Sequence, residues 1–526
     1  MIVSTGKIYH SSHRFCFCRF GGDSNCKYKA WINEPFLTVY LQTLSILGIY
    51  FSYNVWFHPL AKYPGPKLRA ASRLPHLAAM LGGHLHLDMK RLHDEYGGVV
   101  RVTPDKLSYI SSEAWRQIYG HKKNSEPEMS KDRKWYVADP NAQHIIFSTR
   151  EKHGHFRCLF SQGFSDRSLR EQEPLLQSYV DMLVQWMEQN VVGGRTALDV
   201  VEWYNWTTFD IIGDLTFGEP FGCLKNTSLH PWVRDMFDAI KGIMYLRVCQ
   251  EVSVLGRHIP ILLKNLFSAK AVEKREAHLH FTRDMVTRRV NTSNHRSDFM
   301  ENALCQLKGK GITFAEMLSN SSVLIMAGSE TTATLLSGAT YLLLKNPEKQ
   351  QKLVEELDAV FQQETNITNE ATGRLVTFRG DRRSIALLSS CGCRLPRQVP
   401  AGGSYIEGKY VPAGTSVTVN HFAAYHSSIN FHRPDDFIPE RFIEGSNSSD
   451  KRDVLQPFSA GPRNCIGRNL AYAEARLILE RVFFRFELNL SDKTSDWLDQ
   501  GTYGIWQKPP LYVTFRIRRR SESTAE

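Results

Sequence analysis

The sequence predicts a mainly α protein with small β-sheets, built as one large domain behind an N-terminal membrane helix. Three observations predict it. Helical periodicity dominates residues 168–190, 199–218, 272–290, 313–345 and 467–484, whereas strand-like pieces are short, at Gly98–Val102, Tyr410–Val419 and Leu511–Ile517. A run of 22 residues without a charge occupies Phe36–Phe57. From residue 68 onward no linker, low-complexity stretch or internal repeat interrupts the chain.

Taken in order, residues 1–35 are polar and dotted with cysteines, lack the zones of a cleavable signal peptide, and carry no readable role. Residues 36–57, as a helix, would be about 33 Å long against a hydrocarbon core of about 30 Å, which predicts a transmembrane anchor with aromatic ends. Residues 58–67 hold Pro59, Pro64, Gly65 and Pro66, which cannot continue a helix and predict a stiff hinge. Residues 68–518 form the body, and 519–526 a polar tail. Hydrophobic content of 42% and charged content of 23% exclude collagen-like, coiled-coil and wholly disordered chains. The formal charge of +11 is spread without a basic block or an aromatic-basic repeat, which argues against nucleic acid and for a basic face toward an acidic protein or an anionic membrane. Ten scattered cysteines are not a disulfide scaffold.

The sharpest motif is FSAGPRNCIG, residues 458–467, followed directly by a helical pattern. A thiolate at Cys465 gains from the positive end of the helix that follows, which favours an anionic metal ligand. Gly461 and Gly467 would admit a flat macrocycle, Arg463 offers a cation for a carboxylate, and Phe458 can cover the sulfur. The helix at 313–345 opens on the capping-box pattern Thr313-x-x-Glu316, stops at Asn346-Pro347, and contains AGSETT at 327–332. Gly328 leaves a gap there, and Thr331 lies nearly on the same face. Taken alone, the segment reads as a Ser/Thr-softened helix packing against a neighbour; room beside a hydroxyl and an acid is also what dioxygen activation requires, with Glu330 bringing protons from solvent and Thr331 handing them on. His153 and Arg157, at i and i+4, face one way and can clamp a carboxylate.

The loop F-x-x-G-x-R-x-C-x-G resembles, without a mismatch, the haem signature of the cytochrome P-450 monooxygenases, and the likeness covers roughly residues 55–518, most closely to fungal secondary-metabolism members. It implies the P-450 fold, with haem b (iron protoporphyrin IX) bound through Cys465 as the metal ligand. His153, Arg157, Phe458, Gly461, Arg463 and Gly467 would surround the haem, and Gly328, Glu330 and Thr331 would serve oxygen chemistry. Arg441, in PDDFIPERF, would close a structural ion-pair lock. The family precedent also implies electrons from NADPH through a separate reductase flavoprotein, or a cytochrome b5-type donor, and an apolar small-molecule substrate of the terpenoid or polyketide kind. It further implies an endoplasmic reticulum membrane location, single-pass, with the catalytic body cytosolic. Two other readings stand beside monooxygenation: a thiolate-haem isomerase or dehydratase, and a non-catalytic product of a decayed or misread gene.

One departure feeds the last reading. The lock needs Glu-x-x-Arg on a helix before Arg441, and none occurs between Asn346 and Arg441. Where it belongs the chain reads TFRGDRRSIALLSSCGCRLPRQVP, residues 377–400. One permitted codon set for Asp381–Leu395, read one base later, encodes Ile-Glu-Glu-Ala-Leu-Arg-Ser-Tyr-Pro-Pro-Val-Ala-Ala-Gly, restoring the motif. That points to a frame or splice error over about 374–394, which transcript sequencing decides. If the printed residues are real, Arg441 is expected to carry an uncompensated buried charge costing on the order of 3–5 kcal/mol. Cys391 and Cys393 lack the further ligands of a metal site.

Overall fold

The computed structural model describes residues 34–519 apart from 124–125, 137–141, 192–196, 253–268, 293–295, 309–310, 374–394, 443–448 and 495. The chain separates into two units, 1–51 and 52–526. In the first, helix α1 (Glu34–Ser52) runs for 19 residues, about 28 Å at 1.5 Å per residue. The sequence reading of a transmembrane anchor over 36–57 is corrected here: among the described residues no helix is long and apolar enough to cross a membrane. The α-helix ends at Ser52, a π-helical turn takes Tyr53–Phe57, and extended His58 precedes Pro59. Thr38, Gln42, Thr43 and Ser45 dilute what helix remains. The membrane-spanning helix and the single-pass endoplasmic reticulum location are withdrawn with it. The polar segment 1–33 lies outside the described residues.

The larger unit is mainly α. Its helices of eight residues or more are α2 (Leu74–Leu81), α3 (Leu85–Tyr96), α4 (Ser112–Tyr119), α5 (Arg150–Ser161), α6 (Asp166–Asn190) and α7 (Val200–Phe217). They continue with α8 (Pro231–Val252), α9 (Ala269–Asn291), α10 (Glu301–Lys308), α11 (Phe314–Lys345), α12 (Pro347–Val360) and α13 (Arg468–Arg485). Caps explain several starts. The Ser165 hydroxyl accepts the N–H of Ser168 to open α6, and the Asp199 carboxylate accepts that of Val201 to open α7. Thr313 and Glu316 form the full capping box of α11, and Gly218, at φ +80°, ends α7.

Among the described residues, ten short strands make three sheets: β1 (Val99–Thr103), β2 (Lys106–Tyr109), β3 (Ser130–Lys131), β4 (Ala197–Asp199), β5 (Arg397–Gln398), β6 (Ser404–Ile406), β7 (Lys409–Val411), β8 (Ser416–Val419), β9 (Phe486–Leu490) and β10 (Tyr512–Ile517). The largest has the order β1-β2-β8-β5-β3, with β2 and β8 parallel; β4-β10-β9 form a second sheet and β6-β7 a hairpin. The strand expected over Tyr410–Val419 is two strands, because Pro412 cannot donate and Gly414 turns the chain at φ +78°.

One core joins α6, α7, α11 and α13 through residues such as Leu183, Phe209, Leu336 and Phe483. A second packs Tyr109, Trp115, Val417 and Val419 around the five-stranded sheet. Helix α7 is buried on nearly every face, Asn205, Thr207, Thr208 and Asp210 included, as befits a central helix. The Asp210 carboxylate fixes the turn after α7 by accepting the N–H groups of Cys223 and Leu224 at 2.9 and 2.8 Å.

Candidate active site

The loop 458–467 is shaped by its own backbone. Ser459 and Gly461 take positive φ (60° and 72°), a single 3-10 turn covers Gly461–Arg463, and the N–H of Cys465 donates to the Phe458 carbonyl at 2.8 Å. Arg157 on α5 pins the residue before the cysteine, donating to the Asn464 carbonyl at 2.7 Å and to its Oδ1 at 2.6 Å. Cys465 is exposed, just ahead of α13. The two loop glycines differ. A Cβ at Gly461 would lie 1.9 Å from the Tyr119 carbonyl oxygen, so the residue is needed for backbone packing against α4 and does not border the cavity described next. Gly467 does border it.

A cavity of about 280 Å³ separates this loop from α11. Phe458, Cys465, Gly467 and Leu470 form one wall; Val323, Leu324, Ala327, Gly328 and Thr331 form part of the opposite one. Ile145, Ile146 and Tyr136 add apolar surface. Residues far apart in the chain are thus brought to one space: the thiol, the helix gap and the threonine hydroxyl. Thr331 donates to the Ala327 carbonyl at 2.6 Å, leaving its lone pairs for the cavity. Gly328 has a second use, since a Cβ there would come within 2.4 Å of Ile212 Cδ1 on α7. Its small size therefore also serves helix packing.

One end of the cavity is cationic. His153, Arg157 and Arg463, all foreseen, meet Lys131 from β3 and Arg397 from β5, which sequence reasoning missed. Arg397 is only 4% exposed, yet its Nε and Nη1 have no hydrogen-bond partner. Such a cation calls for a carboxylate in the cavity. Burial and the neighbouring Arg397 and Arg463 push the Lys131 amine down to about 6. Burial and Arg463 hold His153 down to about 3, so its neutral ring contributes an N–H and no charge. A flat dicarboxylic macrocycle fits: a thiol faces the space and three guanidinium groups line its polar end.

Glu330 lies elsewhere. Its carboxylate is buried, borders no part of the cavity, and is hydrogen-bonded to the Lys508 amine, which also donates to the Thr334 hydroxyl at 2.9 Å. Glu330 Oε2 has no partner. Burial pushes this carboxyl up, and Lys508 offsets only part of that. The structure therefore separates the acid from the hydroxyl that adjoins it in sequence, because consecutive helical residues point about 100° apart.

Arg441 differs from expectation too. Its Nη1 donates to Asp450 Oδ2 at 2.7 Å and to the His432 carbonyl at 2.8 Å, and Nη2 to the Arg433 carbonyl at 3.1 Å. Both ionic side chains are nearly fully buried. The charge is compensated locally, which corrects the expectation of an uncompensated Arg441. The stretch 374–394, with Cys391, Cys393 and the missing Glu-x-x-Arg, lies outside the described residues.

Comparisons with known proteins identify the family. The family model described as Cytochrome P450 matches residues 64–515. Cytochrome P450 monooxygenase astJ of Aspergillus oryzae is 40% identical over 478 residues, covering 90% of this chain and 95% of its own. Averantin hydroxylase of Aspergillus parasiticus is 41% identical over 477 residues, covering 89% and 94%. Trichothecene C-15 hydroxylase of Fusarium sporotrichioides is 38% identical over 482 residues, covering 89% and 96%.

Proposed function

The chain belongs to the cytochrome P450 family and is a haem-thiolate monooxygenase, and on that premise we propose that it holds haem b through Cys465 and hydroxylates an apolar small molecule of fungal secondary metabolism. Electrons would come from NADPH through a separate reductase or a cytochrome b5-type donor. Two relatives are named for hydroxylations, of averantin and at C-15 of a trichothecene, and a terpenoid or polyketide substrate is the corresponding proposal here. The observation that carries this reading is the single cavity shared by Cys465, the cationic end and the Gly328–Thr331 face of α11.

When bound, the haem supplies dioxygen activation at a thiolate-ligated iron. The chain's own groups supply the rest. Cys465 stays anionic beside the start of α13, where the helix dipole favours negative charge. Arg157, Arg397 and Arg463 would hold the two propionates, Lys131 would regain its proton beside them, and His153 would offer an N–H. Ile145, Ile146, Val323 and Leu324 exclude water and favour an apolar substrate. Thr331 holds water at its free lone pairs and passes protons into the cavity. For Glu330 to feed that hydroxyl, its carboxyl must first leave Lys508.

The test is a carbon-monoxide difference spectrum of the reduced full-length chain, beside Cys465→Ala. The wild type should show thiolate-bound haem and the variant none. An identical band in both would overturn the ligand assignment.

A further inference from the structure

We propose that Glu128, acting through Arg463, sets the charge at the carboxylate-binding end of the cavity and with it the reduction potential of the haem; the inference rests on the reading that haem occupies the cavity. Arg463 is a partition. It lines both the inner cavity and an outer one of about 350 Å³ bordered by Glu126, Glu128, Arg150 and Arg157. On the outer side Arg463 Nε donates to Glu128 Oε1 at 2.9 Å, and Nη1 to the Ser148 carbonyl at 3.3 Å. Nη2 has no partner among the described residues. Glu128 also lies 3.5 Å from Arg150, which is largely exposed.

The charges decide what this pair does. Arg157, Arg397, Arg463 and Lys131 converge on the inner cavity, and among the described residues no acid lines it. Glu128 is the carboxylate within reach of that cluster, with its side chain 17% exposed against 5% for Arg463. Two propionates would leave those four cations with an excess of two positive charges, and Glu128 cancels part of that excess from behind. Adding an electron to the haem adds a negative charge, which surplus cations favour and a fixed carboxylate opposes. Glu128 is therefore a positioning residue that aims Arg463 inward and holds the potential more negative than the bare cluster would.

The experiment is a spectroelectrochemical titration of the haem-loaded full chain, without substrate, for wild type, Glu128→Gln, Glu128→Asp and Glu126→Gln. Glu128→Gln keeps an acceptor for Arg463 and loses the charge. It should raise the equilibrium constant for one-electron reduction roughly three- to tenfold, a positive shift of about 30–60 mV at 59 mV per tenfold. Glu128→Asp should stay near wild type. Glu126→Gln, the same charge change at an acid with no bond to Arg463, should move the potential by less than half as much. A haem-loaded Glu128→Gln protein with an unchanged or more negative potential, or one matched by Glu126→Gln, overturns the inference alone. A wild-type chain with no thiolate-bound haem overturns the reading of the site beneath it.

Discussion

Lys508→Met separates the buried ion pair beside Thr331 from everything around it. The Lys508 and Glu330 side chains are 4% and 3% exposed, and Glu330 has one oxygen already unpartnered. Removing one partner of such a pair costs about 3–5 kcal/mol if the other stays charged, and the lost bond to Thr334 adds on the order of 1 kcal/mol. Glu330 can avoid the larger cost by keeping a proton, and burial already pushes its carboxyl up. Without Lys508 it goes higher still. A carboxyl raised in the folded state carries its stabilising proton fully below the unfolded value and loses it as pH rises through the folded value. The penalty of Lys508→Met should therefore be small near pH 5 and grow by up to about 1.4 kcal/mol per pH unit toward pH 8. Denaturant unfolding at several pH values, followed by circular dichroism, measures it. Lys508→Met with Glu330→Leu should recover most of the loss at pH 8. A single variant within about 0.5 kcal/mol of wild type at pH 8, or a double variant no better than the single, would refute the argument.

Gly461→Ala should cost at least about 2 kcal/mol and abolish haem retention, since its Cβ would meet the Tyr119 carbonyl at 1.9 Å in a positive-φ backbone; thermal melting and haem content both report it. Asp450→Asn removes a buried countercharge of Arg441 and should destabilise by about 3–5 kcal/mol, with Arg441→Met plus Asp450→Leu recovering much of it in a double-mutant cycle. Burial pushes the Glu474 and Glu480 carboxyls on α13 up to about 8 and about 9. Both are raised, so stability should fall as pH climbs from about 4.5 toward 8 or 9, and Glu480→Gln should flatten that slope in unfolding curves. A slope unchanged by the substitution would mean that Glu480 does not titrate in that window.

The parts of this protein written in neighbouring residues were legible in the sequence. Thr313 and Glu316 announced the start of α11, and the spacing from Phe458 to Gly467 announced a thiolate loop ahead of a helix, because caps and tight turns are satisfied within a few residues. Periodicity located five of the long helices but not the 22-residue α8. The uncharged run at 36–57 misled because absence of charge is weaker than sustained hydrophobicity, and the α-helix it forms stops at Ser52.

Partners supplied from distant segments were decided by tertiary structure. Lys508 reaches Glu330 across 178 residues, Arg463 reaches Glu128 across 335, and Lys131 and Arg397 meet at the cavity's polar end only because β3 and β5 are neighbours in the sheet. Asp450 is nearer, nine residues from Arg441, yet no periodicity links them. The sequence by itself determined the local patterns, a cysteine loop ahead of a helix and a hydroxyl three residues from a glycine on a long helix. Only the folded chain decided which charges answer which, since a buried ion is compensated by whatever packing brings within reach, at any separation along the chain.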